Sequence, residues 1–192
     1  MVNQLNNSLV QSELLIKEYF NGSVKLLKPP RYTDDRGFLS VTWNKYKLSS
    51  LGIQTNFIQD NFSISENKGT LRGLHSQKTP YSQAKLISCL NGSVRDVVVD
   101  ARKNSETFGH WISEILSYQN GKQLFIPEGF LHGFITLQPS TKVFYKCSNL
   151  YSPVHEQTVL FNDPTLNIDW GKEIETVTIS EKDANGQKFL DL

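Results

Sequence analysis

The stretch Leu71-Arg72-Gly73-Leu74-His75-Ser76-Gln77 crowds a guanidinium and an imidazole into one strand-like run. An imidazole takes or gives a proton near neutral pH, whereas a guanidinium is a permanent cation suited to anions. Their spacing of three places Arg72 and His75 on opposite faces of a regular strand, because strand side chains alternate. Gly73 between them can host a bulge that lets both reach one cavity. The same alternation groups Lys85 with Ile87 and Cys89, so Lys85 heads an otherwise apolar face, and groups Tyr145 with Val143 and Cys147. Taken singly, the commoner fates are a strand-end lysine whose ammonium reaches water and a core tyrosine whose hydroxyl meets a carbonyl.

A second histidine stands in Pro127-Glu128-Gly129-Phe130-Leu131-His132-Gly133-Phe134. This is the P-x-G-x-x-H pattern of the second half of a cupin metal site, and it points to a small β-barrel with an open mouth. The first half of such a site supplies an H-x-H pair and a glutamate. Here Leu74-His75-Ser76-Gln77 offers one histidine and no neighbouring acid. Two histidines without a third ligand make a poor metal site, and no metal is expected.

Positioning these groups falls to short strands. Runs at 22–28, 38–44, 55–65, 84–90, 93–100, 111–118, 122–127, 134–138, 142–148 and 158–161 carry β-branched or aromatic residues, most of them separated by turn residues. Asn91-Gly92 between two apolar runs predicts a hairpin. Many strands with little helix between them predict an all-β sandwich or barrel, read here as one domain over 1–192. Short helices are expected only at the margins, around 45–51 and after Ser180. Residues 1–20 form an N-terminal extension with no assigned role.

Composition removes several function classes. A chain of 192 residues that is 38% hydrophobic and 11% aromatic is not disordered. With 20 Lys+Arg against 19 Asp+Glu the net charge is +1, which leaves no footprint of nucleic-acid binding but room for a local patch that holds a phosphorylated ligand. Cys89 and Cys147 lie in apolar runs and are expected as buried, reduced thiols. The start, Met1-Val2-Asn3-Gln4-Leu5-Asn6-Asn7, lacks a basic and then apolar leader pattern. No stretch nears the roughly 20 apolar residues of a membrane span, so a cytoplasmic protein without a membrane partner is expected.

A dozen motifs then fall in a familiar order. Asp35-Arg36-Gly37-Phe38, Gln59-Asp60-Asn61-Phe62-Ser63, the Leu71–Gln77 run and Lys85-Leu86 are followed by 96–102, 105–109 and 126–134. Tyr145-Lys146-Cys147, Tyr151-Ser152-Pro153, Asn162-Asp163-Pro164, Ile168-Asp169-Trp170 and Ser180-Glu181-Lys182-Asp183 complete the series. From about Lys25 to Asp183 the chain resembles the dTDP-4-dehydrorhamnose 3,5-epimerase family. The resemblance implies a cupin-type double-stranded β-helix, or jelly-roll, barrel that works without a cofactor on a nucleotide-diphosphate sugar.

Members of that family invert C3 and C5 of a 4-keto-6-deoxyhexose, whose ketone acidifies both protons. The resemblance makes His75 the base, Tyr145 the acid, Asp183 the carboxylate partner of the imidazole, and Lys85 the cation beside the developing C4 oxyanion. It assigns Arg36, Arg72 and Lys182 to the diphosphate and nucleotide, Gln59 and Asn61 to the nucleotide and sugar, and Tyr151 to stacking on the base; His132 lines the site. Two positions depart from the pattern. Val41 stands where relatives carry a glutamate and cannot accept a hydrogen bond from a base imide, and Ser76 replaces an aromatic after the motif histidine. These departures favour, as competing readings, a single-site epimerase on another 4-keto sugar nucleotide (CDP- or GDP-linked, for example). A non-catalytic sugar-nucleotide binder is the other alternative. The resemblance also implies a homodimer in which Arg36 completes the partner's site, and shared sheet surface between two barrels would account for strands apolar on both faces.

Overall fold

The computed structural model describes residues 14–192. Along the chain lie β1 (Leu15–Tyr19), β2 (Val24–Leu27), β3 (Tyr32–Asp34), β4 (Gly37–Leu39), α1 (Lys45–Ser49), β5 (Gln59–Ser65), β6 (Leu71–Gln77), β7 (Lys85–Asn91) and β8 (Ser93–Asp100). They are followed by β9 (Trp111–Ser117), β10 (Gln123–Ile126), β11 (Phe130–Thr136), β12 (Thr141–Cys147), β13 (Glu156–Thr158) and α2 (Glu181–Ala184). Six strands form one antiparallel sheet in the order β1-β2-β10-β7-β12-β5, and five form a second in the order β13-β6-β11-β8-β9. The short β3–β4 hairpin stands apart from both.

The two sheets face each other over a shared apolar core. Val24, Leu26, Ile87, Leu124, Ile126 and Val143 come from the first sheet, and Val94, Val98, Leu116, Phe130 and Phe134 from the second. Burying each such side chain stabilises the fold by about 1.5–3 kcal/mol. The outer faces of the central strands are covered by the same chain. Leu71, Val97, Val99, Leu131 and Ile135 pack under the C-terminal segment through Leu166, Trp170 and Phe189. Leu27, Leu86 and Phe125 pack under Leu14, Leu48 of α1 and Ile53. Apolar content on both faces of these strands therefore has an intrachain cause, and no second barrel is needed to explain it.

Three local expectations change. Asn91-Gly92 does not close a hairpin: β7 and β8 belong to different sheets, so the dipeptide turns the chain around a barrel corner. Gly92 has φ +73°, and a Cβ there would lie 2.4 Å from Thr141 Oγ1, so it meets a left-handed corner and a close approach at once. The run 38–44 is a strand only through Leu39, and at its end Asn44, itself extended, caps α1, its side chain accepting the Lys47 N–H at 3.1 Å. The strand placed at 134–138 begins earlier, at Phe130. Of the N-terminal extension, residues 1–13 lie outside the described residues; Leu15–Tyr19 pairs with β2, and Phe20 packs on Phe130 with ring centroids 5.2 Å apart. No helix among the described residues is long and apolar enough to cross a membrane.

Candidate active site

The bulge expected at Gly73 is present. Across β6 and β11, His75 pairs with His132 and Arg72 with Phe134, so three steps on one strand match two on the other. Gly73 has φ +119°, and a Cβ on it would fall 2.5 Å from Gly133 Cα and 2.7 Å from the His132 carbonyl oxygen, so no other residue fits. The extra residue turns Arg72 and His75 to the same cavity.

That cavity is a cleft of two lobes, about 470 and 280 Å³, and His75, Lys85, Tyr145, Tyr151 and Glu156 line both. Gln59 and Asn61 belong to the larger lobe; Arg72, His132, Lys182 and Asp183 belong to the smaller. The sheet register explains much of the gathering. Lys85 lies opposite Cys147 and Ile87 opposite Tyr145, while Cys147 and Tyr145 lie opposite Gln59 and Asn61 on β5. Directly opposed residues share a sheet face, so Gln59, Asn61, Lys85 and Tyr145 project together toward β6 and β11.

Two histidines line the smaller lobe, each paired with a carboxylate. His75 Nε2 lies 2.8 Å from Asp183 Oδ1, and the Gly73 N–H donates to the other carboxylate oxygen at 3.0 Å. Ser180 caps α2 by accepting the Asp183 N–H at 3.2 Å, which fixes the carboxylate's position from its own backbone. Burial opposes the Asp183 charge, but the bonds from His75 and Gly73 outweigh it and hold the carboxyl below the usual range. In the second pair, His132 Nε2 lies 2.9 and 3.0 Å from the two oxygens of Asp96. Asp96 is fully buried and His132 nearly so.

Lys85 and Tyr145 face these pairs from the other sheet. Desolvation deep in the cleft lowers the Lys85 ammonium from its ordinary range, against the pull of Cys147, Asp96 and Glu156. Desolvation also raises the Tyr145 phenol, joined by Cys147 and opposed by Arg72 and Asn61, so it keeps its proton well past neutral pH. At the rim the Glu156 carboxylate accepts from Lys182 Nζ at 2.9 Å and from the Tyr151 hydroxyl at 3.0 Å, and Gln59 accepts the Tyr151 N–H at 3.2 Å.

Ten of the eleven site residues expected from the sequence thus line the cleft, and Arg36 does not. Arg36 sits at the turn of the β3–β4 hairpin, its side chain 90% exposed and paired with Asp34. Val41 is likewise absent from the cleft lining and borders a small separate hollow beside Trp43. Sequence reading missed Asp96 and Glu156. Asp96 was within reach: on β8 it alternates with Val94 and Val98, an acid on an apolar face, the same signal that singled out Lys85. Glu156 opens a three-residue strand after a loop, where no periodicity marks it.

Comparison with known proteins agrees with this geometry. The profile of the dTDP-4-dehydrorhamnose 3,5-epimerase family matches residues 21–191. The dTDP-4-dehydrorhamnose 3,5-epimerase of Shigella flexneri is 45% identical over 169 residues, 88% of this chain and 92% of its own length. The crystal structure of the Bacillus anthracis enzyme of that name, with TDP and PPi bound, superposes with a TM-score of 0.85 at 45% identity, covering 91% of this chain and 98% of the other. A Legionella pneumophila dTDP-6-deoxy-D-glucose-3,5-epimerase in complex with dTDP-4-keto-L-rhamnose gives 0.85 at 42% identity, covering 92% of each chain. On the strength of barrel, cleft and these matches together, this chain belongs to the dTDP-4-dehydrorhamnose 3,5-epimerase family and is an isomerase on a cupin jelly roll.

Proposed function

We propose that the cleft inverts C3 and C5 of dTDP-4-dehydro-6-deoxy-D-glucose to give dTDP-4-dehydro-L-rhamnose, supplying L-rhamnose for surface polysaccharide. The observation that carries the reading is the opposition of His75–Asp183 on one wall to Tyr145 and Lys85 on the other, across one cavity. His75 takes the proton α to the ketone, and the electron pair passes into the C4 carbonyl as an enolate. Asp183 fixes the imidazole and stabilises the imidazolium that forms. The Lys85 ammonium faces the oxyanion, and Tyr145 gives its phenolic proton to the opposite face of the carbanion-like carbon. Arg72 and Lys182 sit together in the smaller lobe, where two cations suit a diphosphate, and Tyr151 at the rim offers a ring to the base.

Incubation with dTDP-4-keto-6-deoxy-D-glucose in heavy water tests the reading. Deuterium at both C3 and C5, lost in His75→Ala, is the expected result. Label at one carbon makes the chain a single-site epimerase, and none from a folded protein overturns the substrate.

The proposal extends to a homodimer. Arg36 lies outside its own chain's cleft, and the edge strand β5, with the residue before it, leaves Ile58 and Ile64 exposed on its outer face. Buried free thiols at Cys89 and Cys147 fit a reducing, cytoplasmic setting.

A further inference from the structure

A double inversion leaves a proton in the wrong place halfway through. In the gluco chair the C3 and C5 hydrogens are both axial on one face, so a single base reaches both. After the first inversion one C–H bond has broken and another has formed. His75 then holds an extra proton as imidazolium, and Tyr145, having given its proton up, is a phenolate. The second inversion needs His75 neutral and Tyr145 protonated again. His75 must therefore lose one proton and Tyr145 regain one while the half-finished sugar is bound.

The cleft contains a group placed for that transfer and unused by the steps above. His132 is the register partner of His75 on the neighbouring strand, on the same sheet face, which sets their Cβ atoms about 4.5–5.5 Å apart. It lines the same lobe as His75 and Tyr145. Its Nε2 is taken by both oxygens of the fully buried Asp96, so in the neutral ring with Nε2–H donated there, Nδ1 is an acceptor.

Resting on the proposed double inversion, we infer that His132, positioned by Asp96, is a relay that returns His75 and Tyr145 to their starting protonation states between the two inversions. The proton leaves the His75 imidazolium and joins the free nitrogen of His132. Asp96 remains a carboxylate and offsets the charge of the transient imidazolium. His132 then passes the proton to the Tyr145 phenolate. No bond to carbon changes in the transfer, and no further reactant enters. Asp96 is in this scheme a positioning residue.

The test compares wild type, His132→Asn and Asp96→Asn in heavy water, with enzyme in excess over dTDP-4-keto-6-deoxy-D-glucose, and reads deuterium at C3 and C5 separately. The relay hands the first carbon's own proton on to the second, so one wild-type turnover gives doubly inverted sugar with deuterium at the first carbon inverted and protium at the other, whereas the variants accumulate singly inverted sugar at least tenfold over wild type. Asp96→Asn keeps the side chain's shape and carries the test if His132→Asn does not fold. Deuterium at both carbons of the wild-type single-turnover product, or variants that slow both inversions equally without accumulating singly inverted sugar, overturns the relay, since reset through solvent labels both carbons and a role in packing or substrate binding lowers both inversions together. A wild type that labels neither carbon overturns the parent activity and the relay with it.

Discussion

Lys85 and Asp183 show how burial and bonding set opposite charges in one cleft. Desolvation lowers the Lys85 ammonium below its ordinary 10.5, so the cation is lost earlier than an exposed lysine's as pH rises. Tyr145 moves the other way and keeps its proton longer. The alkaline limb of kcat should therefore move to higher pH in Lys85→Arg, whose guanidinium stays charged; a limb that stays put assigns it to another group. Asp183 is depressed, so its contribution to stability is present above the pKa of an unfolded aspartate and is lost as pH falls through the folded value. Asp183→Asn should lower kcat by about 10²–10⁴-fold, the range a positioned base contributes. Its deficit in Tm against wild type should shrink on acidification, read by thermal melts across the acid range. At this scale much was legible: period-two alternation set Lys85 and Tyr145 on apolar faces, the family resemblance gave them site roles, and Asp96 would have yielded to the same alternation. Glu156 would not, because its partners Lys182 and Tyr151 meet it through tertiary structure alone.

Elements were predicted well where a strand had to be buried and poorly where the chain changes direction. β8 matches its expected span because Ser93–Asp100 is rich in β-branched valine and has turn residues before it. The corner at Asn91-Gly92 was misread because a hairpin and a sheet-to-sheet turn both call for a left-handed glycine; only the distant Thr141 separates them. Gly73 is the sterner case. Gly73→Ala would drive a methyl into the β11 backbone at a left-handed position, costing about 1–3 kcal/mol from overpacking with backbone strain in addition. A fall in the denaturant midpoint, together with loss of activity, is expected. A second structural knot lies at the end of β8, where buried Asp100 accepts from Arg102, Ser105 and Thr107 and is held well below the carboxylate range. Asp100→Asn should cost about 3–5 kcal/mol by leaving that network unpaired, measurable by equilibrium unfolding, with the cleft residues unchanged.

For the whole molecule, the all-β reading followed from strand count, but the layers outside the barrel did not. The segment carrying Leu166, Trp170 and Phe189 has little periodicity, and its role as a cover over β6, β8 and β11 is fixed only by what those strands leave open. Quaternary structure belongs to this scale too. Ile58→Lys combined with Ile64→Lys places charge on the outer face beside and along β5, and should shift the protein to a smaller species in sedimentation velocity. An unchanged sedimentation coefficient removes that face from the proposed dimer.

β5 itself divides its residues between two masters. Gln59, Asn61 and Ser63 look into the cleft, while Ile58 and Ile64 are exposed away from it and Phe62, also exposed, borders its larger lobe. In a saturation scan scored by growth, tolerance along this strand should rise and fall with every second codon. Inner positions would fail for want of turnover, and outer positions would fail, if at all, only when they become charged.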